Sequence, residues 1–247
     1  MKKTIVTIAA LFFTSISYAQ SLEDITWVTE DYPPFNYSEN GAAAGISVDV
    51  LLEIWKRAGL NKTVADIKIW PWSRGYEMTK KKVGLCLFSM TITDSRKEFF
   101  KFVGPIPAGS GNTIIAKKSK ELKLNSIDDL KKLKIGIILK DVGEQLLVDA
   151  GIDKNTLDQC VDPACLLKKL DAGRVDAISY GYETAVYKMK ELGIDHTKFE
   201  NVYTLSESNM GYAFHKDTDP SIIEKLQAIL DEINADGTGK KIQSKYQ

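Results

Sequence analysis

VGLCLFSMTITDSRKEFFKFVGP, residues 83–105, decides how the rest of the chain is read. Val83 to Phe88 is a short, continuous apolar run of the kind that makes a buried strand. Thr91 and Thr93 follow, and Thr93 with Asp94 caps a short helix whose first turn carries Arg96. Strand then capped helix is the repeating joint of an α/β protein. This joint also collects a hydroxyl, unpaired backbone amides and a guanidinium fork, groups suited to gripping a carboxylate. A surface ion pair with Glu98 is the competing use of Arg96.

Upstream, Ile25 to Thr29 is expected as a strand running into the loop Glu30 to Phe35. A helix from Gly45 to Ala58 puts Val50, Leu51, Ile54, Trp55 and Ala58 on one face and ends at Gly59. Ile67 to Trp70 is a strand, and Trp70 to Arg74 opens the next helix with Pro71 near its first turn. Trp27 and Trp55 belong to the core. Downstream of Gly109-Ser110-Gly111 a second α/β series begins, with strands at Thr113–Lys117, Lys134–Leu139 and Val175–Ser179. Between and after them come a capped turn at Ser126 and helices at Gly143–Ala150, Pro163–Asp171 and Glu183–Leu192. Pro220 starts a tail helix with Ile222, Ile223, Leu226, Ile229, Leu230 and Ile233 on one stripe, ended by Gly237.

The N-terminus sets the compartment. Lys2 and Lys3, the apolar run Ile5 to Phe13, and Ser17-Tyr18-Ala19 form a signal peptide, residues 1–19, with cleavage after Ala19 and export to the periplasm. The apolar run is too short to span a bilayer, which needs about 20 residues. Thirty-three basic residues balance thirty-three acidic ones without a basic block, so nucleic acid is not an expected partner. Of three cysteines, Cys160 and Cys165 bracket a turn-prone Val-Asp-Pro-Ala and are close enough to bridge in an oxidising space. So short a loop contributes on the order of 2 kcal/mol. Cys86, mid-strand among apolar residues, is expected as an inert core thiol. His196 and His215 are the only histidines, which leaves no expected metal site, and no cofactor is expected.

In order and spacing, several motifs together resemble the family 3 extracellular solute-binding proteins, periplasmic receptors of polar amino acid ABC transporters. They are TEDYPPF at 29–35, GISVDVL at 45–51, Thr91 and Arg96 with Phe102 and Gly104-Pro105, KIGI at 134–137, GRVDA at 173–177 and ADGT at 235–238. The resemblance covers residues 24 to 246. It implies an α/β, two-lobe periplasmic binding protein fold of type II, each lobe a mixed sheet flanked by helices, with two hinge strands. Lobe one would be residues 24–111 plus 210–247, and lobe two 112–209.

The resemblance also implies a site. Arg96 matches the arginine that grips the ligand α-carboxylate, and Thr91 the residue that adds a hydroxyl and a backbone amide. Ser89 matches a carbonyl that accepts from the ligand ammonium. Tyr32 and Trp72 match aromatic walls, Glu30 an acid that contacts side-chain groups, and Asp141, Val142 and Gly143 a loop whose amides face the carboxylate. Arg74 is a candidate second anion contact, or a partner of Glu77. One departure stands out: after Tyr180, Gly181 occupies the place of the aspartate that pairs with the ligand ammonium, with Glu183 two residues on. The expected function is capture of a small carboxylate-bearing solute and delivery, as a monomer and not an enzyme, to the membrane permease of an ABC transporter. The alternatives are a periplasmic lyase resembling cyclohexadienyl dehydratase, with Glu30, Glu183 or Asp141 as acid or base, and a small-molecule sensor.

Overall fold

The computed structural model describes residues 21–246, so the expected signal peptide lies outside the described residues. In chain order the strands are β1 (Thr26–Thr29), β2 (Tyr37–Glu39), β3 (Ala42–Ala44), β4 (Ile67–Ile69), β5 (Leu85–Thr91) and β6 (Phe100–Val103). There follow β7 (Gly109–Lys117), β8 (Ile135–Ile138), β9 (Asp158–Cys160), β10 (Ala177–Tyr180) and β11 (Phe199–His215). The helices are α1 (Ile46–Ala58), α2 (Trp72–Lys81), α3 (Asp94–Lys97), α4 (Val142–Asp149), α5 (Pro163–Asp171), α6 (Tyr182–Glu191), α7 (Pro220–Ala235) and α8 (Thr238–Gln243).

Nine strands form one sheet, eight of them in the order β4-β1-β5-β11-β7-β10-β8-β9 and β6 off this path against β11; β2 and β3 make a separate hairpin. The long strand β11 is what joins two halves. Its residues Phe199 to Asn209 pair antiparallel with β7, and Met210 to His215 pair with β5 and β6. On either side the inner strands are parallel, β1 with β4 and β5, and β8 with β9 and β10, as expected where helices cover both faces. The fold is a two-lobe α/β binding-protein fold with a mixed sheet in each lobe and β7 and β11 crossing between them.

Packing follows the sequence stripes. In the first lobe α1 and α7 lay Val50, Leu51, Ile54, Leu226, Leu230 and Ile233 against Trp27, Phe88 and Phe214, and Trp27 meets Trp55 edge-on at 5.4 Å. In the second, Ile114, Ile135, Ile137 and Leu147 form their own core. A third cluster runs through both lobes, with Trp72, Leu87 and Met90 on one side and Ile115, Leu166 and Tyr180 on the other. Cys160 and Cys165 are joined, their Cα atoms 5.8 Å apart, and Cys86 is a buried free thiol.

Candidate functional site

The chemistry starts at the end of β5. Opposite it, β11 pairs Gly211 with Met90 and Tyr212 with Phe88, so Ser89 is a bulge residue with no opposite number. Ser89 adopts φ +60°, unusual for a residue with a side chain, and its hydroxyl donates to Ser47 Oγ at 2.8 Å. Just beyond, the Thr93 hydroxyl accepts from the Arg96 amide at 3.3 Å, capping α3 as the sequence predicts. That cap turns Arg96 inward: the residue is 1% exposed, and Nη1 donates to the Thr91 carbonyl at 3.1 Å. Its guanidinium carbon lies 5.3 Å from the Trp72 ring centre and 5.7 Å from that of Tyr76. Both rings project from α2, four residues apart and hence on one face. Nε is buried without a hydrogen-bond partner, and Arg96 forms no ion pair among the described residues. Burial pulls its pKa down, opposed by Asp141, Tyr76 and Glu30.

The second lobe closes over this guanidinium. Lys140 is held at φ +65°, and its carbonyl accepts from Trp72 Nε1 at 2.7 Å. Its ammonium pairs with Glu77 of α2 at 2.6 Å. Asp141 follows as the N-cap of α4, accepting from the Val142 amide at 2.6 Å. Gln145 of α4 donates to Ser95 Oγ, Lys188 of α6 pairs with Asp31 at 2.6 Å, and Tyr180 meets Tyr32 edge-on at 5.5 Å. The clamp is shut.

Two carboxyls face the cation from opposite lobes. Burial pushes Glu30 well above the ordinary glutamate range, reinforced by Asp141 and Asp31 and opposed by Arg96. Burial likewise raises Asp141, with Arg96 and the Val142 amide pulling it back. Nothing in the sequence setting of either residue signals such a shift. Tyr180, 1% exposed, keeps its hydroxyl without a hydrogen-bond partner, and burial followed by Glu30 raises its pKa well above the usual tyrosine range.

A pH consequence follows. A carboxyl whose folded pKa is raised favours the folded state fully below its unfolded value, near 4.3 for glutamate. That contribution is lost as pH rises through the folded pKa. Glu30→Gln is therefore expected to melt a few degrees higher relative to the wild type at pH 8 than at pH 4.5, read by calorimetry. A difference that does not change with pH would place Glu30 in a solvated setting.

Of the residues expected from sequence, Glu30, Tyr32, Trp72, Ser89, Thr91, Arg96, Asp141 to Gly143 and Tyr180 are brought together around the closure. Arg74 is not; it is exposed and stacks on Trp70 at 4.3 Å, while Glu77 pairs with Lys81 and Lys140 instead. Glu183 is also exposed, but it lines both an outer groove with Tyr182 and a smaller pocket with Tyr32 and Gly181. Gly181 sits at the closure because a Cβ there would overlap the Tyr32 hydroxyl. Sequence reasoning missed Tyr76, Lys140 as a partner of Trp72, and the Asp31–Lys188 pair. For Tyr76 the four-residue spacing from Trp72 was an available signal.

Residues 25–247 match the family described as bacterial extracellular solute-binding proteins, family 3. The chain belongs to that family. Within it, the chain is 28% identical over 222 residues to the probable amino-acid-binding protein YxeM of Bacillus subtilis strain 168, covering 86% of this chain and 79% of that one. It is 26% identical over 218 residues to the L-cystine-binding protein TcyJ of Escherichia coli K12, covering 87% and 79%. The solved structure of the arginine-, lysine-, histidine-binding protein ArtJ from Geobacillus stearothermophilus shares the fold, with a TM-score of 0.75, 21% identity, and 90% and 94% of the two chains covered. These relatives are binding proteins. Among the described residues no helix is long and apolar enough to cross a membrane.

Proposed function

We propose that this family member captures a small carboxylate-bearing solute, an amino acid or a close relative, between its lobes and delivers it to the permease of an ABC transporter. One observation carries the reading: Arg96 is a desolvated guanidinium with a buried, unpartnered Nε and no ion pair among the described residues. A buried donor left without a partner costs roughly 1–3 kcal/mol, more when charged, so the site gains most from an anion. The relatives' names, amino-acid-binding and L-cystine-binding, support the amino-acid class.

Lobe one comprises residues 24–111 and 210–247, and lobe two 112–209, with β7 and β11 as the hinge. Arg96 and Thr91 hold the solute from lobe one, and the Asp141 to Gly143 turn at the start of α4 meets it from lobe two. Tyr32 and Trp72 wall the site, the Ser89 peptide supplies an acceptor, and Tyr180 supplies the free hydroxyl. The mature chain works as a monomer in the periplasm after cleavage behind Ala19. It is a receptor, not an enzyme, because closure gives ligand-driven population shift as its output.

A thermal-shift screen of amino acids, their des-amino analogues, di-acids and short peptides tests this. A solute at a hundredfold excess over Kd adds about 2.7 kcal/mol. The expected hits all carry a carboxylate; a set of hits lacking one would overturn the reading.

A further inference from the structure

Beside Trp72 and Glu30 lies a pocket of about 450 Å³, within the size range of small-molecule sites. Ile69, Trp70 and Pro71 wall it from lobe one, and Val161, Ala164 and Leu192 from lobe two. Its inner end carries Glu30 and Trp72, and the Trp72 ring is the one that faces the Arg96 guanidinium. The pocket therefore adjoins the anion site across the Trp72 ring, and residues from both sides of the closure line it.

The walls set what can enter. The ionic groups at its rim are already paired within the protein: Lys188 binds both Asp31, at 2.6 Å, and Glu191, at 2.8 Å. Asp162 caps α5 by accepting from the Cys165 amide at 2.7 Å. A charged ligand group placed here would lose water and find the rim groups Lys188, Asp31 and Glu191 already paired with one another. Apolar surface, by contrast, is waiting. Val161 is 60% exposed, the most exposed large apolar side chain among the described residues. It sits on the loop that the Cys160–Cys165 disulfide pins in place.

We infer that this pocket receives an uncharged apolar side chain, branched or aromatic, of the same solute whose carboxylate Arg96 holds. The inference rests on the proposed carboxylate-capture reading and adds the substrate class to it. Glu30 lies at the inner end, where burial raises its pKa and so disfavours its charged form.

Calorimetric titration tests it with L-alanine, L-leucine, L-phenylalanine, L-arginine and L-glutamate, the apolar ones each beside its des-amino acid. The proteins are the wild type, Val161→Asp and Ile69→Ala. Each buried methylene strengthens binding about fourfold, so leucine and phenylalanine are expected at least tenfold tighter than alanine. Each variant should reduce that gain about fivefold or more and leave alanine within about twofold. Val161 is exposed, so its replacement leaves the fold intact. Arginine or glutamate binding more tightly than leucine and phenylalanine would overturn the apolar class while leaving carboxylate capture standing. So would variants that weaken alanine as much as phenylalanine. No binding by any of these acids would overturn the apolar class, and carboxylate capture would then stand or fall on the wider thermal-shift screen.

Discussion

Arg96→Ala is expected to abolish ligand-induced stabilisation while leaving a folded protein. The guanidinium is 1% exposed and lies over two aromatic faces, so its bonds to a carboxylate are made away from water. Charge-assisted bonds are roughly twice as strong as neutral ones, and the planar fork matches two carboxylate oxygens. Removing one partner of a buried ion pair leaves the other charge buried and unpaired, a cost of about 3–5 kcal/mol. That corresponds to a Kd weaker by a factor of about 10² to 10⁴. A solute that added about 2.7 kcal/mol at a hundredfold excess would add about 0.4 kcal/mol once its Kd rose a hundredfold.

The fold itself loses less. Arg96 forms no ion pair among the described residues, and burial already disfavours its charge, so the ligand-free protein does not depend on it for electrostatic stability. Arg96→Lys separates charge from geometry, since an ammonium keeps the positive charge without the fork and should bind with intermediate affinity. A melting shift in Arg96→Ala equal to that of the wild type would remove Arg96 from the site.

What the sequence revealed divides by the distance between interacting residues. Thr93 capping the turn that carries Arg96 is a contact within four residues, and it was legible with its chemistry. So was α1, expected at Gly45–Ala58 and found at Ile46–Ala58, because a 3.6-residue stripe ending in glycine has few other readings. The hairpin of β2 and β3 was not identified, although Asn40-Gly41 lies at its turn; its flanks lack the alternating apolar residues that usually accompany that signal. Strand β11 was expected only as a hinge strand at the 209/210 lobe boundary, because its first eleven residues are mostly half-buried or exposed and show no clean alternation.

The site divides in the same way. Thr91 and Arg96 belong to one capped turn that could be named from neighbours in the chain, whereas the Asp141 turn was expected from the family resemblance. The bond from Trp72 to the Lys140 carbonyl and the Asp31–Lys188 pair join the two lobes and exist only in the closed protein. No local pattern encodes them. The same reason explains why Glu30 and Asp141 gave no sign of raised pKa values: the shift comes from burial in the folded protein, which no sequence neighbour reveals.

Gly181→Asp, which by family pattern should restore the missing ammonium partner, is expected instead to weaken ligand binding by about ten- to a hundredfold. The backbone is not the obstacle, since Gly181 has φ −69° and ψ 123°, a conformation any residue adopts. The obstacle is steric: a Cβ built at this position overlaps the Tyr32 hydroxyl, which belongs to the other lobe. Overpacking of this kind costs about 1–3 kcal/mol, and here it falls on the closed form alone, because opening separates the two residues. Affinity should drop while the melting temperature without ligand changes little. Gly181→Ala should behave alike, which separates the clash from the added charge. Tyr32→Phe removes the overlapping oxygen and leaves the ring carbon 3.2 Å from the new Cβ, so the double variant should recover part of the loss. The coupling between the two substitutions, measured as a double-mutant cycle in ligand affinity, should then be clearly nonzero. Additive losses would mean that Tyr32 and residue 181 do not meet when the clamp closes. Tighter amino-acid binding by Gly181→Asp would mean that the space beside Gly181 admits an acid, and that the Tyr32 hydroxyl yields it.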